Sequence, residues 1–202
     1  MKKITGIVGA VLLLLLISSC ASTPKVSRID ASTQTDLSGY WNDTDIRIVC
    51  RTLIDSCLNS ARIDQVRRDK KRTPTVIIGR FRNDSSEHID TEIITINMRN
   101  AIINNGKLEF VTSGDTRDDI RAERQDQQSN ASEDTAASLA KEIGADFMLT
   151  GSVKTIVDRA GNQTARTYLV TAELTDIETN RIIWSDQNSE IKKIIVQPKN
   201  KL

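Results

Sequence analysis

The stretch TVIIGRFRNDSSEHIDTEIITINMRNAIINNGKLEFVT, residues 75–112, decides the fold of this chain. Its beginning is rich in β-branched side chains, which is typical of a buried strand over residues 75–82. Apolar side chains then recur at three- and four-residue spacing, which predicts a helix over residues 90–104 that ends at Gly106. Residues 107–112 have the pattern of a second strand, so the stretch has the size of a βαβ unit with a parallel strand pair. The helix is expected to face inward with Ile93, Ile94, Ile96, Met98 and Ile102.

The C-terminal part of the chain has the pattern of consecutive β-strands. Residues 147–157 and 164–176 predict two strands, and residues 181–185 predict a third that extends toward Ile195. Short turns between them favour an antiparallel meander. Gly151 lies inside the first of these strands, where a glycine indicates a bulge or a close approach of another group. The predicted fold class is therefore α/β, a single domain with a mixed sheet and flanking helices, in which a βαβ-like unit precedes the meander.

Two more core helices are predicted on either side of the βαβ unit. The first covers residues 42–59, where Asn42 is a suitable N-cap and Asp45 can complete a variant of the capping box. The second is expected around residues 132–143, with Ser132 as its cap. The apolar face of the first helix comprises Ile46, Val49, Cys50, Leu53, Ile54, Cys57 and Leu58, and that of the second comprises Ala136, Leu139, Ala140 and Ile143.

Cys50 and Cys57 both belong to the apolar face of the first helix. Seven helical residues separate their Cα atoms by about 10.5 Å, whereas a disulfide needs less than about 7 Å. The two thiols therefore cannot bridge within one intact helix. Burial as small apolar side chains is the preferred interpretation, and an exposed redox pair is the alternative.

Two charged segments allow either a functional or a purely solvated interpretation. Residues 62–72 carry six Arg and Lys with two Asp, so they form either an electropositive patch toward phospholipid or the anionic cell wall, or a solvated connector. Residues 115–130 predict a helix whose only large apolar residue is Ile120, so this helix should be exposed. Its candidates for contact with a partner, which could equally form a solvated face, are Arg117, Arg121, Glu123, Arg124 and Asp126.

The composition disfavours most catalytic and nucleic-acid-binding classes. The chain has 28 Lys and Arg against 27 Asp and Glu, and a nucleic-acid-binding protein usually has a basic excess. A single His excludes zinc sites with several His ligands, and three Cys cannot form a four-Cys site. His88 lies in a predicted loop, and the motifs of nucleotide-binding proteins, zinc proteases and serine hydrolases are absent from the sequence. We therefore expect no catalytic residue, cofactor, metal site, nucleic-acid partner or small-molecule substrate, and hence a protein that is not an enzyme.

The first twenty residues resemble the signal of a bacterial lipoprotein. Lys2 and Lys3 precede an uncharged apolar run, which is shorter than the roughly 20 residues of a transmembrane helix. Ile17-Ser18-Ser19-Cys20 then resembles the lipobox. In that family the enzymes cleave before the Cys, attach diacylglycerol to its thiol and add a fatty acid such as palmitate to the new amine. Several acyl chains are needed because one gives only marginal membrane binding.

This resemblance divides the chain into four parts. Residues 1–19 are the signal peptide, residues 20–38 the lipidated Cys20 with a flexible linker, residues 39–197 the folded domain and residues 198–202 a polar tail. Removal of the signal peptide takes away two lysines, so the net charge changes from +1 to −1, with 26 basic against 27 acidic residues. An Asp directly after the Cys resembles a signal for retention in the inner membrane. Residue 21 is Ala instead, which favours the outer membrane.

Several blocks of the folded domain resemble the LpoB family, the outer-membrane lipoproteins that activate penicillin-binding proteins. These blocks cover residues 39–190 in the order expected for the family, and the lipobox precedes them. The blocks include Gly39-Tyr-Trp-Asn-Asp-Thr-Asp45, Thr75-Val-Ile-Ile-Gly-Arg-Phe-Arg-Asn83, Ala101-Ile-Ile-Asn-Asn-Gly-Lys107, Ala145-Asp-Phe-Met-Leu-Thr-Gly151 and Leu174-Thr-Asp-Ile-Glu-Thr-Asn-Arg-Ile-Ile-Trp-Ser185.

The resemblance implies a noncatalytic activator in peptidoglycan biosynthesis and cell shape. Anchored through Cys20 and facing the periplasm, it would bind an accessory domain of a class A penicillin-binding protein. The linker of 18 residues after Cys20 is short and contains one Pro, which departs from the long Pro-rich linker of the enteric members. No motif marks the docking residues, so none is assigned. The alternative is a structural or assembly lipoprotein similar to the TolB N-terminal domain or to the curli-pore lipoprotein.

Overall fold

The helix predicted at the start of the domain forms as α1, Asp43–Leu58. The side chain of Asn42 accepts a hydrogen bond from the Asp45 backbone at 3.1 Å, and the Asp45 carboxylate accepts one from the Asn42 backbone at 3.0 Å. The predicted capping box is thus confirmed, and it satisfies backbone donors that the first turn leaves without helical partners. The whole predicted apolar face of this helix is buried.

The computed structural model describes residues 26–30, 32–129 and 144–198. Cys20, the signal peptide and the helix predicted around residues 132–143 lie outside the described residues. The chain divides into two units, residues 1–33 and 34–202. In the first, the Asp30 side chain accepts a hydrogen bond from the Ser32 backbone at 2.7 Å. All the helices and strands of the described residues belong to the second unit.

A second helix, α2, covers Ala61–Lys70, where the sequence predicted an electropositive patch or a solvated connector and no helix. Ser60 caps it by accepting a hydrogen bond from the Ile63 backbone at 3.3 Å. Ile63 is fully buried, and the basic side chains of the last turn lie at the negative end of the helix dipole. Ile63 and the basic residues of the last turn thus stabilise this helix. Its apolar residues are too few for the sequence pattern to predict a helix.

The predicted βαβ unit forms as β1 Thr75–Asn83, α3 Thr91–Asn105 and β2 Glu109–Phe110, and its strands are parallel. Two details of the prediction were wrong. The second strand pairs over two residues only. The inward face of α3 is narrower than predicted, because Ile93 is 44% exposed and Ile96 is half-buried. The side chains that α3 buries are Ile94, Met98 and Ile102, spaced by four residues.

The exposed helix predicted near the middle of the chain is confirmed as α4, Asp115–Ser129. Its only large apolar side chain, Ile120, is 39% exposed. This helix therefore has no apolar face that could pack against the core. It corresponds to the predicted helix because it covers the same residues.

The meander forms as β3 Phe147–Ala160, β4 Gln163–Asp176 and β5 Ile182–Asn188, with antiparallel neighbours. β3 also runs parallel to β1, so the strand order is β2-β1-β3-β4-β5 in one mixed sheet. The predicted extension of the last strand toward Ile195 was wrong. A separate strand, β6 Lys192–Val196, pairs instead with the first half of β4, while β5 pairs with its second half.

One face of the sheet carries the core and two helices. Alternate residues of β4, from Tyr168 to Leu174, are fully buried beneath α1 and α3. The Trp184 indole of β5 donates to Ser56 of α1 at 3.3 Å, and Cys50 of α1 lies 3.7 Å from the Ile94 carbonyl of α3. β1, β2 and β3 all begin at the end of the sheet where β4 finishes, and the β3–β4 turn lies at the opposite end.

Candidate functional site: two charged ends of one sheet

Glu87 is the centre of a buried polar cluster near the β3–β4 turn. Its carboxylate accepts hydrogen bonds from the Tyr168 hydroxyl at 2.8 and 2.9 Å, from the Arg166 guanidinium at 2.5 Å and from the Trp41 backbone at 3.2 Å. The side chains of Glu87 and Arg166 are only 8% and 11% exposed. A loop residue before α3 is therefore tied to β4 and to the segment that leads into α1.

Aromatic rings complete this cluster. The Arg166 guanidinium lies 4.2 Å from the centre of the Tyr40 ring, and the Trp41 and Tyr168 rings are 5.2 Å apart. Burial and the neighbouring Glu87 carboxylate raise the pKa of Tyr168, so its hydroxyl remains a hydrogen-bond donor. Burial alone would lower the pKa of Arg166, but Glu87 outweighs it and raises that pKa. The cluster is therefore an ion pair, Glu87 with Arg166, that holds the loop before α3 against β4.

Lys193 of β6 joins the same region to the start of α1. Its ammonium group lies 2.7 Å from the Asp45 carboxylate, 2.9 Å from that of Asp36 and 2.8 Å from the Tyr40 carbonyl. Burial alone would lower the pKa of Lys193, but the two carboxylates raise it, so the lysine stays charged. Asp36 belongs to the segment predicted as linker, and Asn42 also donates to it at 2.8 Å. We call the surface formed by Asp36, Tyr40, Arg166 and Lys193 the tether end.

A cleft of about 510 Å³ opens beside Tyr40 and Arg166 at the tether end. Arg159, Asn162 and Gln197 contribute polar side chains to it. The described lining carries the hydroxyl groups of Ser38, Tyr40 and Thr164, and no carboxylate, thiol or imidazole group.

The opposite end of the sheet is organised around Asp146, which precedes β3. Its carboxylate binds Arg72 at 2.7 Å, Lys70 at 2.9 Å and the Thr75 backbone at 2.8 Å. Burial alone would raise the pKa of Asp146, but the hydrogen bonds from Thr75, Arg72 and Lys70 outweigh burial and lower the pKa from 3.8 to about 2. The carboxylate therefore stays ionised and fixes the C-terminal end of α2 against the beginnings of β1 and β3.

The remaining cations of α2 are not neutralised in this way. Arg62, Arg67, Arg68 and Lys71 form no ion pair with any residue that the structure describes. Lys107 lies nearby and donates to the Leu58 carbonyl at the end of α1 at 2.8 Å. We call α2 together with Lys71, Arg72 and Asp146 the basic end.

The residues that the sequence singled out do not come together in one site. Cys50 and Cys57 are 4% and 2% exposed, which confirms the preferred interpretation as core residues, and burial raises the pKa of each thiol to about 12. His88 is exposed in the loop before α3, and within the described residues no group of three His, Cys, Asp or Glu side chains could hold a metal ion. The candidates on α4 are exposed or half-exposed, and they are Arg117, Arg121, Glu123, Arg124 and Asp126.

Sequence reasoning missed the central residues of both ends. Glu87 and Arg166 at the tether end are separated by 79 positions, and Arg72 and Asp146 at the basic end by 74. Neither pair has a local spacing that could reveal it, because the fold alone brings the partners together. In the part of the chain that the structure describes, no helix combines the length and the apolar character needed to cross a membrane.

Comparison with known proteins identifies the family. The family model for the peptidoglycan-synthase activator LpoB matches residues 45–190, which is most of the folded unit. Among solved structures, the LpoB C-terminal domain from Salmonella enterica is 20% identical over 67% of this chain and 93% of its own, with a TM-score of 0.36. The corresponding domain from Escherichia coli is 19% identical over 69% and 98% of the two chains, also with a TM-score of 0.36.

Escherichia coli LpoB, solved by NMR, is 16% identical over 90% of this chain and 87% of its own, with a TM-score of 0.35. A search of curated proteins gives no significant match. The family model alone covers well over half of the chain, and its range begins within α1 and ends between β5 and β6. On this match, the chain belongs to the LpoB family of peptidoglycan-synthase activators.

Proposed function

We propose that this protein is a noncatalytic lipoprotein that binds a class A penicillin-binding protein and activates its synthesis of peptidoglycan. The family match over residues 45–190 carries this proposal. The state of the buried acidic groups supports it, since Glu87, Asp45 and Asp146 are all held in ion pairs. An activator of this kind works by binding the active conformation of the synthase more tightly than the inactive one.

The activation is tested with the purified lipoprotein and each class A penicillin-binding protein of its organism. We expect the lipoprotein to bind one of these enzymes and to increase its rate of glycan polymerisation and peptide cross-linking. A sample of the lipoprotein unfolded by heat is the control for nonspecific effects of added protein. If the native lipoprotein binds none of the enzymes, or binds one without changing its rate, the proposed function is wrong.

The proposed anchor is the lipidated thiol of Cys20 in the outer membrane, with the domain facing the periplasm. The sequence Ile17-Ser18-Ser19-Cys20 supports this proposal, because it has the aliphatic and small residues of a lipobox before the cysteine. Mass spectrometry of the N-terminal peptide from cells should show Cys20 as the first residue, with the added mass of three acyl chains. Detection of an unmodified Cys20, or of the lipoprotein in the inner-membrane fraction, would contradict the anchor or its location.

The reach of the domain from the membrane depends on the free part of the linker. Residues from Gln34 onward belong to the folded unit, and Asp36 is bound to Lys193 and Asn42. We therefore propose that the tether between Cys20 and the folded unit is confined to residues 21–33. Thirteen residues extend to at most about 45 Å at 3.3–3.6 Å each. The folded domain itself must then span most of the remaining distance to the partner.

A further inference from the structure

We propose that the basic end is the surface that docks on the synthase, and that the matching surface of the partner is acidic. This inference rests on the proposed function and names the surface that performs it. It assigns the contact to α2 with Lys71 and Arg72, and within α2 chiefly to the exposed Arg62 and Arg68.

The first reason is the unbalanced charge of the basic end. Asp146 neutralises part of the charge of Lys70 and Arg72, and Asp64 lies 3.7 Å from Lys107. Besides Asp64, the segment that carries Arg62, Arg67, Arg68 and Lys71 contains a single acidic residue, Asp69. Such a local excess attracts an acidic surface over roughly 10 Å at physiological salt.

The rigidity of the basic end is the second reason. The Ile63 side chain of α2 is fully buried in the core, and the Lys70 ammonium lies 5.8 Å from the centre of the Phe147 ring. Asp146 joins the end of α2 to β1 through the Thr75 backbone. Because α2 is held on the sheet in this way, its arginines are presented without the entropy cost of ordering a loop on binding.

The third reason is the distance from the tether end. Asn42 and Asp36 lie at the start of α1, and α2 follows its other end. The sixteen residues of α1 span about 24 Å at 1.5 Å each, and α2 begins beyond the far end of α1. A domain tethered at one end reaches farthest with the other, which suits a short tether.

The side chains of α2 favour a folded protein over a membrane as the occupant. A helix that binds a membrane surface exposes an apolar face, but Ile63 is buried and Val66 packs against the core. Three of the four unpaired cations are arginines, which bind carboxylates through two parallel hydrogen bonds and are enriched at protein interfaces. We therefore assign the acidic surface to the synthase itself.

The test compares two variants of the full, lipidated chain in detergent that change the net charge equally. Arg62→Glu/Arg68→Glu alters the basic end, and the control variant Arg80→Glu/Lys154→Glu alters exposed residues of β1 and β3. Affinity for the class A penicillin-binding protein that binds the wild type is measured by surface plasmon resonance at low and high salt. Equal midpoints of thermal unfolding for both variants and the wild type establish that each is folded.

We expect the basic-end variant to bind about tenfold more weakly at low salt and the control variant to change by less than about twofold. The difference should shrink at high salt, because screening weakens exposed charge pairs. Equal effects of the two variants, or no effect of either, would overturn the assignment while leaving the proposed function intact. It would also be overturned if the basic-end variant kept its affinity for the synthase and lost binding to isolated cell walls or to phosphatidylglycerol vesicles. Failure of the wild type to bind any synthase marks instead the failure of the proposed function, and the assignment falls with it.

Discussion

Gly151 of β3 lies where the sheet has no room for a side chain, so Gly151→Ala should destabilise the domain strongly. A Cβ atom at this position would lie 2.3 Å from Cζ of Phe81 and 2.4 Å from the Thr171 carbonyl oxygen. The ring would have to retreat by about 1 Å, but Phe81 is itself buried, and the carbonyl belongs to the backbone of β4. Overpacking usually costs 1–3 kcal/mol, and with a backbone atom as one obstacle we expect about 3 kcal/mol.

The loss is measured as the change in the free energy of urea unfolding and in the thermal midpoint. For a domain of this size, about 3 kcal/mol corresponds to a decrease of roughly 6–12 °C. Gly144→Ala is the matched control, since no described atom lies within 4 Å of its added Cβ, and it should leave stability unchanged within about 1 kcal/mol. A double-mutant cycle with Phe81→Leu should show that the smaller side chain recovers part of the loss. If Gly151→Ala costs less than about 1 kcal/mol, the close approach to Phe81 is not the constraint that we describe.

Three further changes probe the buried groups. Glu87→Gln should cost about 3 kcal/mol in urea unfolding, because it leaves the Arg166 guanidinium buried beside a neutral amide, and a loss below about 1 kcal/mol would argue against a tight ion pair. The Asp146 carboxylate has a folded-state pKa lowered to about 2, so its stabilisation is complete above pH 4 and is lost as the pH falls from about 4 to 2. Urea unfolding of Asp146→Asn should lack this part of the acid dependence, and identical profiles for variant and wild type would contradict it. Cys50 and Cys57 should react with a maleimide only after unfolding, and rapid labelling of the native domain would contradict their burial.

The sequence predicted those parts of the fold that depend on local patterns. The capping box of α1 uses two residues three positions apart, and the parallel strands around α3 follow from one continuous stretch. The structure differs from the prediction where contacts between residues far apart in the sequence determine the arrangement. β6 separates from β5 because it pairs with the first half of β4, and α2 forms although Ile63 is its only buried residue. The polar clusters at both ends were beyond prediction for the same reason, since their partners meet only in the folded sheet.

The net charge of the whole chain is +1, but charged side chains have different roles at the tether end and at the basic end. At the tether end, Arg166 is matched by Glu87, and Lys193 is matched by Asp45 together with Asp36. These charges hold chain segments to each other, so little net field remains for a partner. At the basic end, one carboxylate serves two cations while neighbouring arginines are left without a described ion pair. The near-zero total therefore argues against a protein that binds polyanions over its whole surface, but it is compatible with one charged surface at the end of the sheet opposite Arg166.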